Sequence, residues 1–419
     1  MPPVNKMRTA LPGGLGGDTA PLPPARLRTA LTVFFALDGF LFAGWVVRIP
    51  AVKHQTGATA SALGLALLGV SAGAVVTMML TGRLCRRYGS HAVTVVCGVL
   101  LSLSITLPAQ THTPLALGLV LLLFGAAYGG MNVAMNSAAV DLVASLRRPV
   151  MPSFHAAFSI GGMAGAGLGG LVAGGLSPSA HLFGLAGVGL LVTAVTGPAL
   201  LRNRVAPGPG ATEPTAPRPA AGARPPGEAR EQPRGMTGRV RRVVVLFGVI
   251  ALCTAYGEGA LAEWGALHLT QDLHAGPGPA AAGYSLFALT MAVGRLGGTS
   301  LLERFGQTRT LVAGGVTAAS GMLLGALAPV LWLALLGFAV AGLGLANIFP
   351  VAVSRAGALA GPAGVAAAST LGYGGMLLGP PLIGFLADWI SLPVALTTVT
   401  LFAAVAAVLG CTARTATHT

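Results

Sequence analysis

The chain has 419 residues, of which 54% are hydrophobic and only 9% charged, with a mean hydropathy of +0.77. Soluble domains carry about 25% charged residues, so this composition excludes a water-soluble globular fold. The net charge of +14 would point to nucleic acid if it covered one surface, but its distribution along the chain says otherwise.

Residues 1–27 are rich in Pro and Gly, hold no apolar core and read as a disordered N-terminus without a cleavable signal. Twelve apolar segments follow: 28–50, 60–81, 91–110, 114–138, 153–176, 180–201, 241–268, 278–301, 309–328, 330–354, 363–387 and 391–411. About 20 apolar residues cross a bilayer core as a helix, and none of the segments alternates as a barrel strand does. The expected fold is therefore an all-α polytopic membrane protein with twelve transmembrane helices. Between the sixth and seventh spans the sequence changes character. "APGPGATEPTAPRPAAGARPPGEAREQPRG", Ala206 to Gly235, has eight Pro and five Gly in thirty residues. We read 202–240 as a linker between bundles at 28–201 and 241–411, with a tail at 412–419.

If the N-terminus is inside, the inner segments hold 22 of the 25 Lys and Arg. That bias places both termini in the cytoplasm and removes the need for a nucleic-acid partner. Cys85, Cys97, Cys253 and Cys411 show no ligand or disulfide spacing.

The eleven acidic residues are few enough to follow individually. Asp38 lies in span one, and Glu258 and Glu263 in span seven. A mid-membrane charge is costly unless it faces a wet cavity or a partner, and a carboxyl in such a cavity can load and release protons. These three are the expected proton-coupling residues. Glu258 and Glu263 are five positions apart, about 140° around a helix, so they do not share one cavity face. Glu263 sits nearer the outer rim. Arg48, at the outer end of span one, reads either as an anion-binding or gate residue or as a snorkelling arginine, with the second favoured. In span four, Tyr128, Asn132 and Asn136 follow at i, i+4 and i+8 and share a face. Such a stripe suits hydroxyl-rich ligands or interhelical hydrogen bonds. His155 opens span five, where it is either a titrating group or simply solvated. Arg295 is expected near the inner end of span eight, paired with the loop at Glu303. Asn347 is expected on the substrate path, ahead of a hinge at Pro350, and Tyr373 on the cavity wall of the second half. Asp141 reads as a partner of Arg147 and Arg148, and Trp45 and Trp264 as interface anchors.

The halves repeat. Trp45 and Trp264 close "LFAGW" and "ALAEW", 219 residues apart. "GRLCRRYG" at 82–89 matches "TSLLERFG" at 299–306, Asn132 matches Asn347, and "GGM" at 161–163 matches "GGM" at 374–376. Four matches in order imply a duplicated six-span unit and two pseudo-symmetric bundles. Asp38 then aligns with Gly257, beside Glu258.

On these residues the chain resembles the major facilitator superfamily over nearly its whole length. "GRLCRRYGSH" is similar to that family's signature loop, Gly-x-x-x-Asp-Arg/Lys-x-Gly-x-Arg/Lys. Gly82, Arg87 and Gly89 match, Arg86 stands where the family has Asp, and His91 takes the last basic place. In the second half Glu303, Arg304 and Gly306 fill the same core. The resemblance implies an inner gate built from Gly82, Arg86, Arg87, Gly89, Glu303 and Arg304, with Arg295 beside it. "GWVVRIPAVKHQTGATASALGLALLG", "SFHAAFSIGGMAGAGLGG" and "GEGALAEWGALHL" resemble a branch related to fucose permease. "GGMAGAGLGG" and "GMLLGPPLIG" are similar to a Gly-Pro motif of drug–proton antiporters. The resemblance thus implies a monomeric secondary transporter of a small molecule, coupled to protons and seated in the lipid bilayer. Sugar-like cargo is the first reading and drug or metabolite export the alternative. No Walker sequence, metal cluster or nucleophile–base set is present, so no cofactor and no enzymatic activity is expected. A membrane sensor would need a signalling domain that the sequence lacks.

Overall fold

A computed structural model describes residues 24–146, 151–202 and 238–418. The Pro-rich segment at 206–235, most of the N-terminal segment, Arg147 and Arg148 lie outside the described residues. All regular structure among the described residues is helical. The first half contains α1 (Pro24–Val46), a short α2 (Ile49–Thr56), α3 (Ala60–Tyr88), α4 (Ser90–Ser104), α5 (Pro114–Leu146), α6 (Met151–Ala173) and α7 (Pro178–Leu201). The second contains α8 (Gly238–Gln271), α9 (Pro277–Leu296), α10 (Gly298–Leu327), α11 (Leu331–Leu345), α12 (Ile348–Trp389) and α13 (Leu392–His418).

Eleven helical segments among the described residues are long and apolar enough to cross a membrane. The expected span at 278–301 is α9. It is a helix, but its Pro, Gly, Ser, Tyr and Arg keep it below that apolarity, and it packs between α6, α8 and α11. Helix starts follow local chemistry. Thr59 and Ser177 cap α3 and α7 by accepting the amides of Ala62 and Ala180 at 3.2 Å. Pro50, Pro178 and Pro277 sit in first turns, where a missing N–H costs little.

Most helix contacts fall within each half, with α3–α12 and α6–α9 as the main bridges between them. The repeat is visible in the backbone. Gly89 and Gly306, aligned by sequence, hold φ of 86° and 74° with extended ψ. A side chain is strained there, so glycine is required at both loops.

Three boundaries differ from the sequence reading. The helix break falls at Ala346–Asn347 rather than at Pro350. Pro350 lies in the first turn of α12, where it interrupts no ladder bond. α12 is continuous in helical assignment, yet it doubles back. Gly364 stands against the Ala356 carbonyl and Gly372 against the Phe349 ring, so its two legs are antiparallel. α13 runs past the expected end at 411 to His418.

Glycine lets the backbones touch. Gly161 and Gly165 of α6 meet the Ala36 and Phe40 carbonyls of α1, and Gly375 of α12 meets the Leu252 carbonyl of α8. The glycine runs that resemble the antiporter motif are therefore spent on packing. Trp45 and Trp264 are buried in the bundles and not at an interface, whereas Trp332 and Trp389 are the exposed ones. Trp45 packs its ring against that of Phe124, with centroids 6.4 Å apart. Gly161→Leu should destabilise the detergent-solubilised protein by about 2 kcal/mol or more through overpacking. Gly174→Leu, with open space at its Cβ, should not. Equal thermal midpoints for the two variants would refute the close-contact account.

Candidate functional site

The last turn of α5 and the start of α6 lie at the same end of the bundle as the start of α1 and the end of α13, and a cavity of about 610 Å3 opens there. Asn132, Asn136, Ser137 and Asp141 of α5, His155 of α6 and Tyr373 of α12 line it. The i, i+4 spacing acts as expected. Asn136 Nδ2 donates to the Asn132 carbonyl at 2.8 Å and to its Oδ1 at 3.3 Å. The asparagines therefore bond along their own helix and still face the cavity. His155 stands edge-on to Phe35 at 5.6 Å, exposed to the cavity. Tyr128 stacks on Phe42 at 5.0 Å and is not among the lining residues. Asp141 is exposed at the mouth, and its expected arginine partners lie outside the described residues.

Inboard of the cavity a polar group gathers from both halves. Tyr128 lies near the Asp38 and Glu258 carboxyls and the Tyr284 and Tyr373 phenols. Tyr284 feels Glu258 and Arg295, and His155 feels Arg295. At its centre Arg295 Nη2 donates to both oxygens of Glu258, at 3.4 and 3.3 Å. The side chains are 26% and 28% exposed. A tight charge-assisted bond is about 2.7–2.9 Å long, so this pair is loose, and one nitrogen serves both oxygens. Arg295 was expected to pair with the loop at Glu303. It reaches Glu258 instead because the α11–α12 break captures the end of α9. Arg295 Nε donates to the Ala346 carbonyl at 3.5 Å, and Asn347 Nδ2 donates to the Gly294 carbonyl at 2.8 Å. Asn347 thus braces a neighbouring helix and is not among the residues lining the cavity.

The other two carboxyls are enclosed. Asp38 is wholly buried, with neither oxygen hydrogen-bonded. It lies where α1 and α6 approach so closely that Gly39 meets the Phe158 carbonyl. Glu263 is also buried, with Oε2 unpartnered, so the picture of a solvated rim residue does not hold. A buried acceptor without a partner costs about 1–3 kcal/mol.

At the end away from the termini the halves are closed. Gly64 of α3 meets the Pro380 carbonyl, Gly384 meets that of Ala60, and Gly170 of α6 packs on Gly278 and Ala281 of α9. Asp388 accepts the Ala60 and Ser61 amides at 2.9 and 2.7 Å, which places a carboxylate on the positive end of the α3 dipole. Ser71 Oγ donates to the Met376 carbonyl at 3.2 Å, and Lys53 Nζ to Gln271 Oε1 at 3.3 Å. Burial lowers the affinity of Lys53 for its proton, while Asp388 and Asp272 act the other way.

Arg48 is buried at this end and does not snorkel. Its Nε donates to His181 Nδ1 at 2.8 Å and its Nη1 to the Ala173 carbonyl at 3.4 Å. Guanidinium only donates, so His181 Nδ1 accepts. Gly82 is half-buried, and the arginines at 86, 87 and 304 and Glu303 are exposed at the termini end, with Arg87 over the Tyr88 ring at 5.3 Å.

Sequence reasoning passed over Tyr284, His181 and Asp388. Tyr284 carried the best signal, as a lone phenol among the small residues of "PAAAGYSLFAL". The other two act through partners far away in sequence. Asp388→Ala should weaken the closed end. Spin labels on the outer ends of α3 and α12 should then report a population, several-fold enlarged, at longer separation. An unchanged distance distribution would show that the apolar contacts hold this end alone.

Comparison with known proteins agrees with this architecture. The family model described as Major Facilitator Superfamily matches residues 29–264 and 247–418. An uncharacterized MFS-type transporter of Yersinia pestis is 32% identical over 374 residues, covering 88% of this chain and 91% of the relative. An uncharacterized transporter of Sinorhizobium fredii is 35% identical over 385 residues, covering 90% and 95%. In fold the chain is similar to a bacterial homolog of the human lysosomal transporter Spinster in an inward-facing, unoccupied conformation. That TM-score is 0.72 at 14% identity, with 94% and 97% of the two chains covered.

Proposed function

The chain belongs to the major facilitator superfamily of membrane transporters, and from that premise we propose that it moves a small polar metabolite by proton-coupled alternating access. The bundles at 28–201 and 241–411 rock about the polar group between them. With both termini in the cytoplasm of a cell whose inner membrane holds the protein, the open cavity faces inward. The observation that carries the proposal is the Glu258–Arg295 pair. It is a loose ion pair between membrane helices, about one-quarter exposed, and a charge inside the bundle is retained where it works.

Glu258 is the coupling carboxyl that remains part exposed. Asp38 and Glu263 are buried acids that become accessible when the bundles turn. Asn132, Asn136 and Tyr373 line the substrate path, with Tyr128 behind them. The three stretches that resemble the fucose-permease branch support a hydroxylated cargo, and so do these amide and phenol groups. The loops at 82–89 and 303–306 form the gate that closes the termini end in the opposite state, with Arg86 in the family's acidic place. The alternative is a drug or metabolite exporter working by proton antiport. Its sequence support is the pair of glycine runs, which packing already accounts for.

The test is proton movement in proteoliposomes with an internal pH dye, challenged with pools of hydroxylated metabolites and then of amphipathic drugs. Proton entry with a metabolite is expected. Glu258→Gln should reduce coupled uptake at least about tenfold while leaving a folded, monodisperse protein. Proton movement opposite to a drug would make export the function. Normal uphill transport by both Asp38→Asn and Glu258→Gln would overturn the coupling assignment.

A further inference from the structure

Glu258 and Arg295 are unequal partners, and their inequality restricts the cargo. Guanidinium keeps its charge across the accessible pH range, whereas a carboxyl can lose it. The pair therefore has two charge states: zero with Glu258 ionised, and plus one with Glu258 protonated. It has no negative state. Alternating access requires the empty and the loaded carrier both to reorient through the membrane, and each net charge left at mid-depth is costly. Asp38, enclosed and without a hydrogen-bond partner, is held neutral, so the empty site has zero charge. A site loaded with one proton returns to zero only if the cargo brings one negative charge. A neutral cargo leaves plus one, and a cationic cargo plus two.

The geometry suits such an exchange. Only Nη2 of Arg295 bonds Glu258, and both of those contacts are longer than a tight ion pair. The guanidinium is one-quarter exposed. The Ala346 carbonyl and the Asn347 brace hold its helix end in place, so Arg295 stays aimed when Glu258 lets go. Tyr128 on α5 and Tyr284 on α9 lie near Glu258, and His155 on α6 lies near Arg295, while Tyr373 on α12 and the enclosed Asp38 on α1 lie near Tyr128. Of these and the pair itself, Arg295 alone is a permanent cation. The phenols and the asparagines at 132 and 136 offer neutral donors and acceptors.

We propose that the transported molecule is a hydroxylated monoanionic acid whose oxyanion replaces the Glu258 carboxylate on Arg295 as Glu258 takes up the co-transported proton. No covalent bond changes. One proton binds one carboxylate, and one ion pair is exchanged for another. This inference rests on the proton-coupled reading above and narrows its substrate from polar metabolites to the acids among them.

The test uses proteoliposomes holding a pH dye and, separately, a membrane-potential dye. Three pools matched in hydroxyl pattern are added: hexuronates and gluconate, the corresponding neutral sugars, and the corresponding amino sugars. Proton entry is expected with the acid pool, at least about tenfold faster than with the others, and with no change in potential. Glu258→Gln fixes the site in its positive state. It should bind the active acid about tenfold more tightly at pH 8 than the unaltered protein, and should exchange it across the membrane without pH dependence. Arg295→Gln should lose acid binding, and Arg295→Lys should keep a weaker form of it, which separates loss of charge from loss of fold. Proton entry with neutral or amino sugars but not with acids overturns the charge assignment and leaves proton coupling standing. Silence from all three pools overturns the coupled reading and this inference with it.

Discussion

A charge inside an apolar helix bundle must be paired, neutralised or wetted, because isolation in low dielectric costs several kcal/mol. That constraint orders the polar groups of this chain into distinct solutions. Glu258 and Arg295 are paired, loosely, and part exposed. Arg48 is buried against a histidine and a helix-end carbonyl with no carboxylate among its hydrogen-bond partners. Asp388 escapes the problem by sitting exposed at the rim, where it accepts the first amides of α3. Asp38 and Glu263 are enclosed with unbonded oxygens. Such groups raise the free energy of the state that encloses them, and a second arrangement that gives them partners or water is correspondingly favoured.

The second requirement is that helices slide and part without losing their fit. Glycine-on-carbonyl contacts meet it, because they give close approach without interlocking side chains. The contact of Gly64 with Pro380 and of Gly384 with Ala60 joins the two halves, whereas that of Gly161 with Ala36 lies within one half. The same chemistry therefore serves permanent packing inside a bundle and breakable packing between bundles. What distinguishes them is the number of such contacts along the helix pair. α1 and α6 meet at Gly39, Gly161 and Gly165, while α3 and α12 meet at Gly64 and Gly384 with the Ser71–Met376 hydrogen bond beyond them.

The fold was largely legible in the sequence, because hydropathy and helix length are local properties. The duplication was legible too. The match of Gly89 to Gly306 anticipated two loops with the same left-handed glycine. The span at 278–301 was read as well, although α9 carries more Gly, Pro and polar residues than the other spans. The site was read in part. Asn132, Asn136, His155 and Tyr373 do line one cavity, because a stripe on one helix face is a local pattern. Pairings between helices were not readable. Arg295 lies 37 positions from Glu258 and eight from Glu303, and sequence proximity favoured the wrong partner. Asn347 was assigned to substrate by symmetry with Asn132, but symmetry does not extend to side-chain duty where one half breaks its helix and the other does not. The tryptophans were misplaced for a related reason. Membrane helices often carry indoles at the interface, whereas these two are buried in the bundles.

The closed end is built asymmetrically, and this bears on how it opens. Between α3 and α12 the contact has a polar latch, in which the Asp388 carboxylate faces a helix dipole, flanked by glycine contacts. Between α6 and α9, the pseudo-equivalent contact of Gly170 with Gly278 and Ala281 is apolar. The repeat offset near this depth, about 213 residues, aligns Asp388 with Gly175, so the second contact lacks the acid that would form a matching latch. Apolar contacts between glycines lose little when they slide, while two charge-assisted hydrogen bonds break over a short distance. Parting α3 from α12 breaks those two bonds and the one from Ser71 to the Met376 carbonyl, whereas parting α6 from α9 at Gly170 costs apolar contact.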